Sequence, residues 1–386
     1  SGLLKRGSFG GRLSSESKQA LMDLYGGTPE SEAAVLEGLR WLAAHQAEDG
    51  HWSMENYQAG SECKCKIEHE AEVTANDTAA TAFGLLPFLG AGITPLKAPA
   101  SPEELGEFRE TVRKGLHYLV SHQKTATDHT NGYLGGGMYA HALGTIALCE
   151  AYGLTKHDDV KVPAQKAVKY LMQAQHTPTG GWGYSPRREG DTSVVCWVFL
   201  AIRSGQMAGI PFDQTVLNRA DRFLNSTAAG PEPFPRSRYC YKPDGKATLA
   251  LTAAGLLSRQ YLGWPYGRQE LFEGCNYLMT SLPPENGVAL GPSYYYYYAT
   301  QVLHHMEGKN WDLWNHRIRE HLIRTQETEG HKRGSWSPQG CDYGARGGRM
   351  YATAMLVLTL QDYYRHLPMY RKITPPTETP AATASN

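Results

Sequence analysis

The sequence predicts an all-α protein of six helical hairpins set in two concentric rings. Three observations carry that expectation. An aromatic-Leu pair ends a helical pattern at Trp41-Leu42, Tyr118-Leu119, Tyr170-Leu171, Phe223-Leu224 and Tyr277-Leu278, with His321-Leu322 as a degenerate sixth copy, at spacings of 77, 52, 53, 54 and 44 residues. A period near 50 marks a supersecondary unit that cannot bury its apolar face alone. Each unit holds two helical patterns of different character, and Gly-rich connectors join them.

Taken in order, residues 1–30 carry Gly, Ser and Arg around a short helical pattern at 15–24, which reads as a loosely attached N-terminal arm. The repeats occupy residues 31–366. The first helix of each unit, such as 165–175 or 315–326, keeps Lys, Arg and Glu on one face, as an outer helix facing water does. The second (74–89, 138–152, 191–203, 246–261, 292–306 and 349–364) is rich in Ala, Leu and Val nearly all round, as a buried helix is. The connectors 132–137, 179–183 and 334–348 run from outer to inner helix. The long first spacing reflects an insertion at 91–102 and a polar loop at 53–72. An open solenoid is the alternative to a ring, but neither end shows a polar-faced capping repeat. Residues 367–386 form a tail that becomes Pro, Thr and Ala with almost no charge, the composition of a disordered linker.

Composition excludes some partners. Lys plus Arg and Asp plus Glu both number 38, so no net field draws nucleic acid or an anionic membrane. No apolar run approaches the ~18 residues that a spanning helix needs. Seven cysteines are an odd number, and Cys149, Cys196 and Cys275 sit in apolar helical context as buried thiols. The compartment stays open, and no motif calls for a cofactor.

The repeat itself is similar to a known one. Gly38-x-x-Trp41-Leu42-x-x-x-Gln46-x-x-x-Gly50-x-Trp52 resembles the Gln-Trp repeat of squalene and oxidosqualene cyclases. Further copies follow at Lys114–Gln123 with Gly132-Tyr133, at Lys166–Gln175 with Gly181-Trp182, and at Gln326 with Gly334-x-Trp336. The resemblance implies one α6/α6 toroid of the terpenoid-cyclase and protein-prenyltransferase kind. The run from Gly347 to Pro368 resembles bacterial squalene-cyclase-like proteins of unassigned activity. The motif reads as structural: the Gln ends the outer helix and satisfies orphaned backbone groups, and the Trp stacks over its amide.

The same resemblance directs attention to the chemistry. Acid-initiated cyclases protonate their substrate from an Asp-x-Asp-Asp stretch at the head of an inner helix, and such a step needs a buried carboxylic acid. The matching stretch here is Thr74-Ala75-Asn76-Asp77-Thr78-Ala79, which places Asn76 at the proton-donor position. An amide cannot deliver that proton. Asp77 and Asp191 remain as catalytic candidates, and both also read as helix caps. A prenyltransferase-like zinc set from Cys341, Asp342, His304, His305 and His331 is testable only by geometry. Cys63-x-Cys65 with His69 is the local metal-like cluster, one ligand short of a closed zinc site, and a plain loop or a disulfide explains it as well.

Five consecutive tyrosines at 294–298 must point in several directions on one helix. If the ring closes, Tyr294, Tyr295 and Tyr298 join Tyr139, His141, Trp197, Arg349 and Tyr351 as candidates for a central cavity, whose aromatic walls suit an apolar ligand. Packing between the rings is the other reading of the same residues. The functional expectation is a cyclase-like toroid that binds an isoprenoid or triterpenoid ligand without acid-initiated cyclisation. A non-catalytic protein-interaction module and a carbohydrate-active α/α-barrel enzyme stay open beside it.

Overall fold

The computed structural model describes residues 7–57, 61, 63, 75–96, 103–287 and 289–370. After α1 (Ser15–Tyr25), outer and inner helices alternate: α2 (Pro29–Ala44) and α3 (Asp77–Gly90), α4 (Arg109–His122) and α5 (Gly137–Thr155), α6 (Asp158–Gln173) and α7 (Thr192–Ala208). The second half continues with α8 (Gln214–Ser226) and α9 (Leu249–Tyr261), α10 (Gln269–Leu278) and α11 (Ser293–Met306), α12 (Gly308–Thr325) and α13 (Gly344–Leu360), before a short α14 (Asp362–Arg365). Each inner helix packs on the next, and α13 packs back on α3, so the ring closes and the open solenoid is excluded. Inner helices are buried nearly all round; every residue of α11 is buried. The cysteines 149, 196 and 275 are buried free thiols.

The Gln residues of the repeat are the joints between units. Gln46 Nε2 donates to the Gly50 carbonyl of its own turn and to the Thr111 carbonyl in α4, both at 2.9 Å. Gln123 does the same to Gly132 and Pro163, and Gln175 to Gly180 and Val216. Gln326 reaches Gly334 and then Ala34 of α2, closing the outer ring. The division of labour differs from the sequence reading. In three outer helices a carbonyl near the end is taken by the tryptophan: Trp52, Trp182 and Trp336 donate Nε1–H to Leu42, Leu171 and Leu322. The Gln amide serves the neighbouring unit.

The N-terminal segment is not loose. Phe9 and Arg12 are buried, and Arg12, 1% exposed, donates to Glu150 of α5 at 2.6 Å and to the Arg365 carbonyl. Arg365 holds the other oxygen of Glu150 at 2.9 Å. Residues 7–12 and α14 thus seal the end of the ring where the inner helices finish. Burial pushes the Glu150 carboxyl up, but Arg12 and Arg365 outweigh it and hold the group below the usual glutamate range. The tail beyond residue 370 lies outside the described residues.

Two predictions follow from these joints. Gly180 has φ +84°, and a Cβ there would lie 2.0 Å from the Arg219 carbonyl, whereas Gly209 has the same φ and open space. Gly209→Ala should therefore cost about 1 kcal/mol of backbone strain, and Gly180→Ala should cost some 1–3 kcal/mol more, read by urea denaturation. Arg12→Ala leaves Glu150 with half its partners and should destabilise the fold by roughly 3–5 kcal/mol. Because the folded Glu150 is the stronger acid, its contribution is complete above the unfolded pKa and is lost as pH falls through the folded one. The penalty of Arg12→Ala should accordingly shrink in acid.

Candidate functional site

The axis of the inner ring is filled with aromatic side chains. Trp197 of α7 meets Phe83 of α3 edge-on at 5.8 Å and Tyr139 of α5 at 5.7 Å. It stacks on Tyr297 and meets Tyr298 of α11, both at 5.6 Å, while Phe83 meets Tyr351 of α13 at 5.5 Å. Trp197 and Tyr298 are 0% exposed, so no water-sized space touches them. Around Trp197 and Tyr298 the described residues leave no room for the expected cavity.

Toward the N-terminal ends of the inner helices the aromatic side chains reach the surface and form a cluster, here called the basin. Tyr139 is half-buried and stacks against Tyr184 at 6.3 Å, and Tyr294 meets Tyr343 edge-on at 5.7 Å. Tyr184 and Tyr343 are 55% and 54% exposed, and Tyr241 stands beside Tyr184 and the Asp191 carboxyl. These tyrosines come from connectors entering α7, α9 and α13, where helical periodicity carries no signal; an aromatic in each connector is the only mark they leave in the sequence.

Two aspartates complete the basin. Asp191 caps α7, accepting from the Val194 amide at 3.1 Å and from the Ser193 hydroxyl. Asp342, from the connector before α13, accepts from Ser293 Oγ at 2.9 Å and Tyr294 N at 3.0 Å, and so caps α11 from outside. Burial raises both carboxyls above the usual aspartate range, against hydrogen bonds that lower them. Asp191 stands beside Tyr241 and Asp342 is the chain neighbour of Tyr343, so each adjoins one of these tyrosines. Chemically this is a pair of carboxyls held above the usual aspartate range, among aromatic faces and hydroxyls.

The remaining candidates separate by position. Tyr139, Trp197, Tyr294, Tyr298 and Tyr351 gather at the axis. Tyr295 points outward, donating to the Leu278 carbonyl, and packs on Trp314. His141 accepts from Leu134 N and binds the Ala167 carbonyl through Nε2; burial lowers its pKa to about 3, so it is a neutral strut between rings. Arg349 turns to Ser335 and Glu327.

Asn76, not Asp77, caps α3: it accepts from Ala79 N at 3.1 Å and donates to the Gly136 carbonyl at 2.9 Å, while Asp77 is exposed in the first turn. The proposed zinc set is dispersed. Cys341, its thiol pushed up to about 12 by burial, sits with Asp342 at the basin, whereas His304 and His305 end α11. Cys63 Sγ lies 3.3 Å from His331 Nδ1; Cys65 and His69 lie outside the described residues. No group of three metal-ligating side chains occurs among the described residues.

No protein-family model and no curated protein sequence matches this chain. Solved structures do. The type II terpene cyclase MstE from Scytonema, in complex with its product merosterolic acid A, matches with a TM-score of 0.56 at 12% identity, covering 88% of this chain and 98% of that one. An inactive variant of the GH76A α-1,6-mannanase of Salegentibacter, bound to α-1,6-mannotriose, matches with a TM-score of 0.55 at 11% identity over 87% and 99%. An α-amylase from Clostridium perfringens matches with a TM-score of 0.54 at 12% identity over 86% and 97%. The fold is thus the α6/α6 toroid common to terpene cyclases and these glycosidases, and its presence alone fixes neither chemistry.

The raised Asp191 makes a measurable prediction. A folded-state acid with a raised pKa binds protons more readily than the unfolded chain, so stability falls as pH rises through the window above the ordinary aspartate value. Asp191→Asn keeps an equally good cap and removes this slope. Denaturation between about pH 4 and 8 should show the parent gaining on the variant toward acid. Relative to Asp191→Asn, Asp191→Ala should cost a further ~1 kcal/mol at either pH through the lost cap.

Proposed function

We propose that the basin at the N-terminal mouth of the inner ring is the functional site. Its ligand is polyhydroxylated, of the carbohydrate class, with Asp191 and Asp342 as the acid–base pair. One observation supports this reading: two helix-capping carboxyls, Asp191 buried and Asp342 half-buried, both held above the usual aspartate range, stand among exposed tyrosine faces at the end of a ring whose axis is filled. Tyrosine faces stack on sugar rings while their hydroxyls and the aspartates bond sugar hydroxyls. General acid–base chemistry at a glycosidic bond needs two carboxyl groups of different proton affinity, and unequal burial is one way to set them apart. Asn76 takes no part.

A second reading, the isoprenoid or triterpenoid ligand expected from the sequence, is supported by the aromatic character of Tyr139, Tyr294 and Tyr351. It requires the ligand to lie across the mouth or to displace the rings around Trp197. The α6/α6 neighbours include proteins whose bound molecules belong to each class.

Calorimetric titration with α-linked mannose and glucose oligosaccharides, and in parallel with a geranylgeranyl phenol, separates the two. The carbohydrate reading expects an oligosaccharide to bind, with Tyr184→Ala and Tyr343→Ala each weakening it about 5–10-fold. Asp342→Asn should retain binding and abolish any hydrolysis. Binding of the geranylgeranyl compound alone, weakened by Tyr139→Ala, overturns the carbohydrate reading in favour of the second.

A further inference from the structure

The opposite end of the ring, where the inner helices finish, holds a separate cluster that the mouth does not use. Arg203 of α7, Tyr261 of α9, His305 of α11 and the segment 366–369 line a cavity of about 160 Å3. That is far above the ~10–15 Å3 a single water needs. Three ring nitrogens of its lining residues, both of the buried His305 and Nε2 of His366, have no hydrogen-bond partner among the described residues. The Arg203 guanidinium lies 5.8 Å from the Tyr261 ring centre and forms no ion pair or hydrogen bond among the described residues. Orphaned buried polar groups are costly enough that most native structures provide a partner, whether protein, water or ligand.

The charges around the cavity do not balance. Arg12 and Arg365 share the single carboxylate of Glu150, and Asp362 stands 2.8 Å from His304 Nδ1. With Arg203, three guanidiniums stand at this end beside two carboxylates, and the half-buried Arg203 is paired with neither of them. Helix C-termini tolerate that excess, and an anion removes it.

We propose that this cavity binds a small oxyanion, held by the Arg203 guanidinium and by N–H groups of His305 and His366. The planar guanidinium supplies paired donors of fixed geometry to such a ligand, and each neutral imidazole adds one. Water alone would satisfy the imidazoles and leave the charge.

Protonation is linked to the site. Burial, then His304 and Arg203, holds His305 well below the usual histidine range. For His366 the causes are burial, then Arg365, Arg12, His305 and His304. The groups bearing on these two rings are therefore Arg203 from α7, Tyr261 from α9, His304 from α11, Asp362 and Arg365 from α14, and Arg12 from the N-terminal segment. A bound anion opposes the cationic field and favours the imidazolium, so affinity rises as pH falls.

Inorganic phosphate and sulfate titrated into the full chain at constant ionic strength test the proposal. One saturable site with a Kd on the order of 1 mM or tighter is expected. Arg203→Ala should weaken it at least ~10-fold and Arg203→Lys less than that, whereas Arg188→Ala, an exposed arginine at the far end, should leave it unchanged. Sulfate keeps its charge between about pH 5 and 8, so tighter sulfate binding toward pH 5, weakened by His305→Gln, reports the histidines. The absence of saturable binding by either anion overturns the proposal, as does binding that survives Arg203→Ala unchanged.

Discussion

A single amide nitrogen holds neighbouring units of this ring together. Each repeat Gln has two N–H donors, one spent on the glycine carbonyl of its own turn and one on a carbonyl in the next outer helix. Two buried carbonyls on different units thus depend on one side chain, and losing it strands both. In an open solenoid such a joint would leave its last unit unmatched. Here Gln326 hands its second bond to Ala34, 292 residues earlier, so the last unit finds its partner in the first. Closure forces the six inner helices to converge on one axis with their ends aligned.

Aligned helices give the two ends of the ring opposite electrical character. The inner-helix N-termini, with their unpaired amides, meet carboxyls: Asp191 caps α7 and Asp342 caps α11. The C-terminal ends meet cations and imidazoles, among them Arg12, Arg365 and Arg203, with His305 in the last turn of α11. Helix dipoles favour this sorting at both ends. At the mouth the dipole alone would make stronger acids, yet both aspartates are weaker ones, because burial outweighs helix and hydrogen bonds together. Residues 7–12 pack against the C-terminal end, whereas exposed tyrosines stand at the mouth.

The fold was legible in the sequence because it repeats. Outer helices alternate polar and apolar faces, inner helices do not, and the Gln-Gly-aromatic phrase recurs where each unit turns. What escaped was whatever depended on distance or on irregular backbone. The N-terminal segment looked loose because nothing near Arg12 in the chain announces Glu150, 138 residues away. Of the five tyrosines, the spacing of 294, 297 and 298 already places them on one face, and Tyr295 on another. Only the position of Trp314 and the Leu278 carbonyl tells which face is inner. Tyr184, Tyr241 and Tyr343 were illegible because connectors have no period. His141 was misplaced for a subtler reason: on an apolar helix it reads as a cavity residue. It occupies the place where Thr81, Thr252 and Thr353 in other units accept a backbone N–H from the connector.

Asn76 shows what a joint asks of its side chain. Its carbonyl oxygen accepts from Ala79 N, a task that aspartate performs equally well. Its amide donates to the carbonyl of Gly136, at the head of the next inner helix. A carboxylate cannot make that second bond; it would face the carbonyl oxygen as a second acceptor, and only a protonated acid could replace the donor. The proton that an acid-initiated cyclase releases to its substrate would then be the one that holds α3 to α5. Chemistry and cohesion compete for one hydrogen at this position, and here cohesion has it. Asp191 and Asp342 are not so bound: each caps its helix as an acceptor, and neither needs its proton to hold two units together. The proposed acid–base function accordingly rests on those two, in the connectors around α7 and α11, and not on the first inner helix.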